Sequence, residues 1–168
     1  MILDYKNVLN TMPQIGTLQW IGLRPKKKET LQAVASAEVN TKNGLSGDRY
    51  TSAGKRMVTL IQEEHLLAVG SMLGKDGPVD PLLTRRNLVV KGINLLALKG
   101  KKFRIGKEVI LEYTGPCHPC TRMEENFGPG GLNAMRGHGG ICTRIIEGGT
   151  IDVGDEVQMI EESTPNSK

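Results

Sequence analysis

Short apolar or alternating runs, broken by glycine, dominate the chain and predict strands. Gly16 to Leu23, preceded by Ile15 and carrying Leu18, Trp20 and Ile21, reads as a first strand. Leu31 to Val39 alternates apolar with small or polar residues and reads as a second. Asn40 to Arg56 is expected as a loop, marked by Asn43-Gly44 and Gly47-Asp48, and the β-branched run Met57 to Ile61 as a buried strand. One helix stands out, Gln62 to Leu73. Leu66, Val69, Met72 and Leu73 recur at helical spacing, Glu63 and Glu64 suit its positive end, and Gly74 its exit. Further strands are expected over 87–90, 93–98, 103–105, 108–113, 141–146 and 156–160, and a Cys- and Gly-containing loop precedes residue 141. Many short strands with glycine turns and one main helix predict a mainly β, barrel-like domain rather than alternating βα units. The organisation expected is an N-terminal extension over 1–15, one domain over 16–160 and a flexible polar tail over 161–168.

Composition fits that picture. The 168 residues are 38% hydrophobic with 21 glycines, a balance that favours turns and close backbone approaches over a large aromatic core. No apolar run is long enough for a membrane span, so a membrane partner is not expected. The net charge is +4, and basic residues cluster at Arg24 with Lys26 to Lys28, at Arg85-Arg86 and from Lys99 to Arg104. A small anionic ligand explains such clusters as well as nucleic acid does. With six aromatic residues in the chain, base stacking is poorly supported and a nucleic-acid partner is not expected. The first residues lack a basic start followed by an apolar run, and three cysteines make an odd count. Thiols in a reducing cytoplasm fit better than a secreted disulfide scaffold.

Several familiar constellations are missing. Gly44-Leu45-Ser46-Gly47 lacks nucleophile-elbow spacing, Gly54-Lys55-Arg56 lacks the P-loop glycine, and Gly128-Pro129-Gly130-Gly131 follows no strand. What remains is Thr114-Gly115-Pro116-Cys117-His118-Pro119-Cys120-Thr121-Arg122. Three chemistries suit it. The two thiols can cycle as a redox pair, although the βαβ context of a thioredoxin-like motif is absent. Cys117, Cys120, His138 and Cys142 have the spacing of a zinc site, with a small buried thiol as the plainer role for Cys142. Alternatively one thiolate ligates a metal-bearing cofactor whose anionic part is held by Arg85, Arg86, Asn87, Arg122 and Arg136, helped by the six glycines between Gly128 and Gly140.

The chain resembles a MOSC domain, the module named after the C-terminal part of molybdenum-cofactor sulfurase, and the small stand-alone bacterial members in particular. The matching stretches are Gly22-Leu23-Arg24-Pro25, Gly44 to Arg49, Val58 to Ile61, Arg85 to Val90, Thr114 to Cys120, Ala134 to Ile141 and Gly149 to Val157. They run in order through residues 16 to 160. The resemblance implies a β-barrel with a few short helices and a molybdopterin-type molybdenum cofactor. Cys120, the second cysteine, corresponds to the family's protein ligand of molybdenum. Arg85 and Asn87 correspond to its Arg-x-Asn cofactor contact. Asp48, Arg49 and His138 fall in motifs of the bacterial members and join the expected cofactor-binding set with Arg86, Arg122 and Arg24.

What the resemblance implies about activity is reduction of N-hydroxylated substrates to amines at a Cys-ligated molybdenum, with electrons from an external reductase. His118 is the candidate proton donor, since an imidazole exchanges protons near neutral pH. Cys117 is a second candidate thiol at the site. Met123 and Met135 are expected as core residues, and Phe127 and Tyr113 suit core positions, with a pocket wall as their alternative. Two alternatives belong to other classes: a carrier of sulfur or cofactor with a persulfide on Cys120, and a zinc-stapled binding module.

Overall fold

The computed structural model describes residues 2–27 and 29–161. It contains strands β1 (Gly16–Leu23), β2 (Gln32–Val34), β3 (Ser36–Asn40), β4 (Gly44–Leu45), β5 (Val58–Gln62), β6 (Leu88–Lys91), β7 (Lys102–Ile105), β8 (Val109–Pro116), β9 (Ile141–Glu147), β10 (Gly149–Asp152) and β11 (Glu156–Met159). Its α-helices are α1 (Tyr5–Leu9), α2 (Glu63–Met72), α3 (Thr121–Phe127) and α4 (Gly131–Met135). The tail expected over 161–168 lies, apart from Glu161, outside the described residues.

Seven strands follow one another in the order β11-β7-β8-β9-β5-β6-β1, and a β1–β11 pairing closes the ring. Closure leaves these strands no free edge. The β5–β6 pair is parallel and α2 lies in its crossover, whereas the remaining barrel pairs are antiparallel. Every residue of β5 is buried, because the strand is covered on both faces. Val58 and Leu60 point into the barrel core with Leu88, Val90, Phe103 and Ile141. Ile61 and Val89 point outward, under Leu66 and Val69 of α2 and under Met123 and Met135 of α3 and α4. Both methionines are core residues, and Phe127 and Tyr113 pack partly buried on the two clusters.

The segment 40–56, expected as a loop, contains β4, the stretch between the strands expected at 141–146 and 156–160 contains β10, and three further elements differ from expectation. The strand expected over 31–39 divides at Ala35: β2 pairs with β1, while β3 joins β10 and β4 in a second small sheet. The strand expected over 93–98 is a 3-10 turn, Leu95–Leu98, whose Leu95 and Leu96 N–H groups donate to the Gln62 and Asn94 side chains. Leu95 and Leu98 are buried and Leu96 is exposed, a spacing of three rather than two. The Cys- and Gly-containing segment holds two helices, α3 and α4, instead of a loop. Glu124 of α3 accepts from the N–H groups of Gly130 and Leu132 at 2.7 and 2.9 Å, so one carboxylate caps the start of α4.

Candidate functional site

Cys120 precedes the first residue of α3 and is exposed, while β8 ends four residues earlier at Pro116. The pair of thiols therefore does lead into a helix, but the flanking strands β8 and β9 are antiparallel, unlike a βαβ redox motif. Around Cys120 opens a cleft of about 180 Å³ lined by Arg24, Lys27, Arg49, Arg56, Arg85, Arg86, Arg122, His118 and Met123. Six guanidiniums and one ammonium face it, with no carboxylate in its lining among the described residues. A neighbouring concavity of about 380 Å³ shares Lys27 and Arg49 and adds Tyr50, Thr51 and Ser52. Together they reach the ~300–1,000 Å³ typical of small-molecule sites. The crowding of like charge registers on Arg85: burial first, then Arg122, Arg24 and Arg49, push its pKa down, with Asp48 opposing.

Consecutive residues Arg85, Arg86 and Asn87 diverge because Arg85 adopts a left-handed backbone, φ 63°. Arg85 reaches the cleft and donates to the Glu29 carbonyl. Asn87 is buried completely behind the wall. Its Oδ1 accepts from the Thr59 N–H and hydroxyl and from Arg24 Nη2, and its Nδ2 donates to Gly22 O and Asp48 Oδ1. Asp48, also buried, holds Arg24 in an ion pair of 2.9 Å. Asn87 and Asp48 thus hold Arg24 from outside the cleft lining, whereas Arg24, Arg49, Arg85, Arg86, Arg122, His118 and Cys120 meet at one cleft.

Arg86 is almost wholly buried, and its donors go to three carbonyls: Gly139 O at 2.7 Å, Thr84 O at 3.0 Å and Cys117 O at 3.1 Å. No carboxylate pairs with it among the described residues. Burial lowers its pKa, and the neighbouring cysteines Cys117, Cys142 and Cys120 oppose that shift, outweighing the repulsion of Arg56. Cys117 is buried at 2% exposure, and the thiol that weighs most on its titration is Cys142. The Cys142 hydrogen bond brings the Cys117 pKa down to about 6, against burial and with help from Arg86, Arg56 and Arg24. Cys142 shifts the opposite way, raised by that same bond and by burial.

His138 lies elsewhere. Its ring meets His65 of α2 edge-on at 4.9 Å, and its Nδ1 is 3.2 Å from Ala134 O. The zinc quartet of Cys117, Cys120, His138 and Cys142 is therefore not assembled, and no group of three or more potential ligands occurs among the described residues. Nor does the Gly-rich segment line the cleft. Gly139 and Gly140 serve close packing: a Cβ on them would lie 2.2 Å from Cys117 O and 1.9 Å from Leu60 O. Arg56 and Met123 are cleft residues that sequence reasoning did not single out for the site. Arg56 follows Gly54-Lys55 in the turn before β5, and only the folded chain brings it to the cleft lining with Cys120.

Comparison with known proteins agrees with this architecture. The MOSC domain family model matches residues 41–158. No curated protein matches. Among solved structures, the YUAD protein from Bacillus subtilis superposes with a TM-score of 0.77 at 16% identity, over 89% of this chain and 97% of that one. YiiM from Geobacillus stearothermophilus gives 0.70 at 18% identity, over 87% of this chain and 75% of that one. YiiM from Escherichia coli gives 0.66 at 18%, over 89% and 72% respectively. These structures share the fold, and the family is one associated with molybdenum-cofactor binding. No described helix is long and apolar enough to cross a membrane.

Proposed function

Since the chain belongs to the MOSC domain family, we propose that its cleft binds an anionic molybdopterin-type cofactor through the Cys120 thiolate and reduces N-hydroxylated compounds to amines. One observation carries the reading: an exposed thiol stands among seven cations in a cleft whose lining holds no carboxylate among the described residues. That donor set fits the group, since thiolates suit soft transition metals and guanidiniums match phosphate oxygens. When bound, the cofactor supplies two-electron chemistry for N–O cleavage.

The chain's own residues hold and orient. Arg24, Arg49, Arg85 and Arg122 take the anionic tail, with Arg24 fixed by Asp48 and Asn87. His118, exposed in the same lining, delivers a proton to the departing hydroxyl oxygen of the substrate. Each N–OH cleaved consumes two electrons and two protons and releases water, and we assign the electrons to a separate reductase in the cytoplasm. The exposed Cys120 also suits the second reading, a persulfide-bearing sulfur carrier.

The test is elemental analysis of protein from a host that makes molybdenum cofactor, followed by an N-hydroxylated base assay with an added electron donor. Near-stoichiometric molybdenum, turnover, and loss of both in Cys120→Ser support the reading. Zinc alone overturns it. Persulfide on Cys120 without molybdenum or turnover replaces it with the carrier.

A further inference from the structure

Behind the cleft lies a pair of thiols that the proposed chemistry does not use. In the β8–β9 ladder Gly115 stands opposite Cys142 and Pro116 opposite Ile141, and the Cys117 N–H continues the pairing to Gly140 O at 2.9 Å. Cys117 and Cys142 are therefore diagonal neighbours on one face of the ribbon, where side chains of facing strands meet. Both thiols are buried, and the Cys142 thiol donates to Pro116 O, the carbonyl next to Cys117, at 3.9 Å. The guanidinium of Arg86, bound only to carbonyls, holds the Cys117 backbone from behind.

We propose that Cys117 and Cys142 form a redox-active dithiol that closes reversibly to a disulfide when a peroxide or a small-molecule disulfide oxidises it. Two features suit the pair to this step. The buried Arg86 cation has no carboxylate partner among the described residues and favours a thiolate on Cys117. The two thiols are buried on one face of the ribbon, and Cys142 Sγ lies 3.9 Å from the carbonyl of the residue before Cys117, so an approach of these two strand ends closes the bridge.

With hydrogen peroxide, the Cys117 thiolate attacks one oxygen, the O–O bond breaks, and Cys117 sulfenic acid and hydroxide form. The Cys142 thiol then attacks that sulfur, forming the S–S bond and releasing water. Both cysteines are oxidised by one electron each and the peroxide is reduced by two. A dithiol reductant restores the pair. Closure ties Cys117, which follows β8 and stands three residues before Cys120, to the start of β9. The inference does not rest on the cofactor reading, because neither sulfur is a ligand in it.

The test oxidises wild-type protein and a Cys120→Ser variant with hydrogen peroxide or oxidised glutathione. Free thiols are then alkylated in denaturant and the peptides mapped without reduction. A Cys117–Cys142 linked peptide in both proteins is expected, with two thiols lost in the Cys120→Ser variant and recovered by dithiothreitol. Full alkylation of Cys117 and Cys142 while Cys120 alone oxidises overturns the proposal, as does a Cys117–Cys120 link. Molybdenum content, measured separately, distinguishes this failure from failure of the cofactor reading.

Discussion

Arg24 and Asp48 form a two-pronged ion pair out of solvent, with Nε 3.1 Å from Oδ1 and Nη2 2.9 Å from Oδ2. The Arg24 backbone N–H also donates to Asp48 Oδ1 at 2.7 Å, so the carboxylate holds both ends of the residue. Their side-chain exposures are 4% and 0%. Asp48→Asn leaves the guanidinium buried without its counter-charge, a loss of about 3–5 kcal/mol. Urea unfolding checks this. The double variant Arg24→Met, Asp48→Leu is expected to recover much of the stability, because an apolar pair of similar volume leaves no orphaned charge.

The cleft is expected to bind pyrophosphate, a simple probe of its anion preference. Arg85→Ala and Arg122→Ala each remove one of the lining cations and should weaken binding roughly 3–10-fold by calorimetry. Raising the ionic strength should weaken wild-type binding as well, since exposed charges are screened. Affinity unchanged in both variants would move the anion site away from Cys120.

Much of the barrel is legible in the chain because its strands carry their own signals. β1 falls on the predicted residues 16–23, and α2 runs within the predicted 62–73 with Gln62 and Leu73 as its caps. The segment 93–98 misleads because a run of leucines has no decisive period until Asn94 and the core select Leu95 and Leu98. At the site, residue type is legible and depth is not. Arg85, Arg86 and Asn87 are adjacent in sequence, yet one faces the cleft, one grips three carbonyls and one lies behind Arg24. A left-handed Arg85 backbone makes that division, and nothing local in the sequence announces it. The spacing of Cys117, Cys120, His138 and Cys142 suggests zinc for a related reason, since linear spacing does not record that His138 turns toward His65.

Stability should fall on mild acidification through His65. Burial first, and then the neighbouring His138, lower its pKa, while Glu64 partly opposes them. Its Nδ1 is buried without a partner among the described residues. In the unfolded chain the ring takes its proton near pH ~6.5. The folded form resists protonation until lower pH, so stability is full above the unfolded value and lost as pH falls below it. Denaturant midpoints measured from pH 8 to 5 should show this slope, and His138→Gln should make it shallower. An unchanged slope in His65→Gln would show that His65 is not the sensing group.

Gly140 is expected to tolerate no side chain. Its φ is 81°, and a Cβ would stand 1.9 Å from Leu60 O, in a backbone that cannot yield without moving β5. Gly140→Ala combines a strained conformation with that overlap, and a loss of about 1–3 kcal/mol or more follows. Gly54→Ala is the control, because open space surrounds its Cβ direction and its φ is not in the left-handed region. Thermal unfolding of the two variants should separate them clearly.

The Cys117 thiolate provides the last prediction. A hydrogen bond from Cys142 is the largest cause of its low pKa, about 6, ahead of burial, which opposes, and of Arg86, which assists. In a Cys120→Ser background, the ultraviolet absorbance of thiolate should therefore rise in a step near pH 6. Adding Cys142→Ala removes the donor and should move that step toward alkaline pH. A step that stays near its original position would assign the shift to the guanidiniums instead. The linkage has a definite sign, since the folded value lies below the unfolded one at about 8.5. Stability from Cys117 is present above that unfolded value and is lost as pH falls through about 6. Cys142 has its pKa raised by the same bond, so its contribution is lost as pH rises instead. Cys142→Ala should thus flatten the pH dependence on both sides, a result that removal of an unrelated buried thiol would not produce.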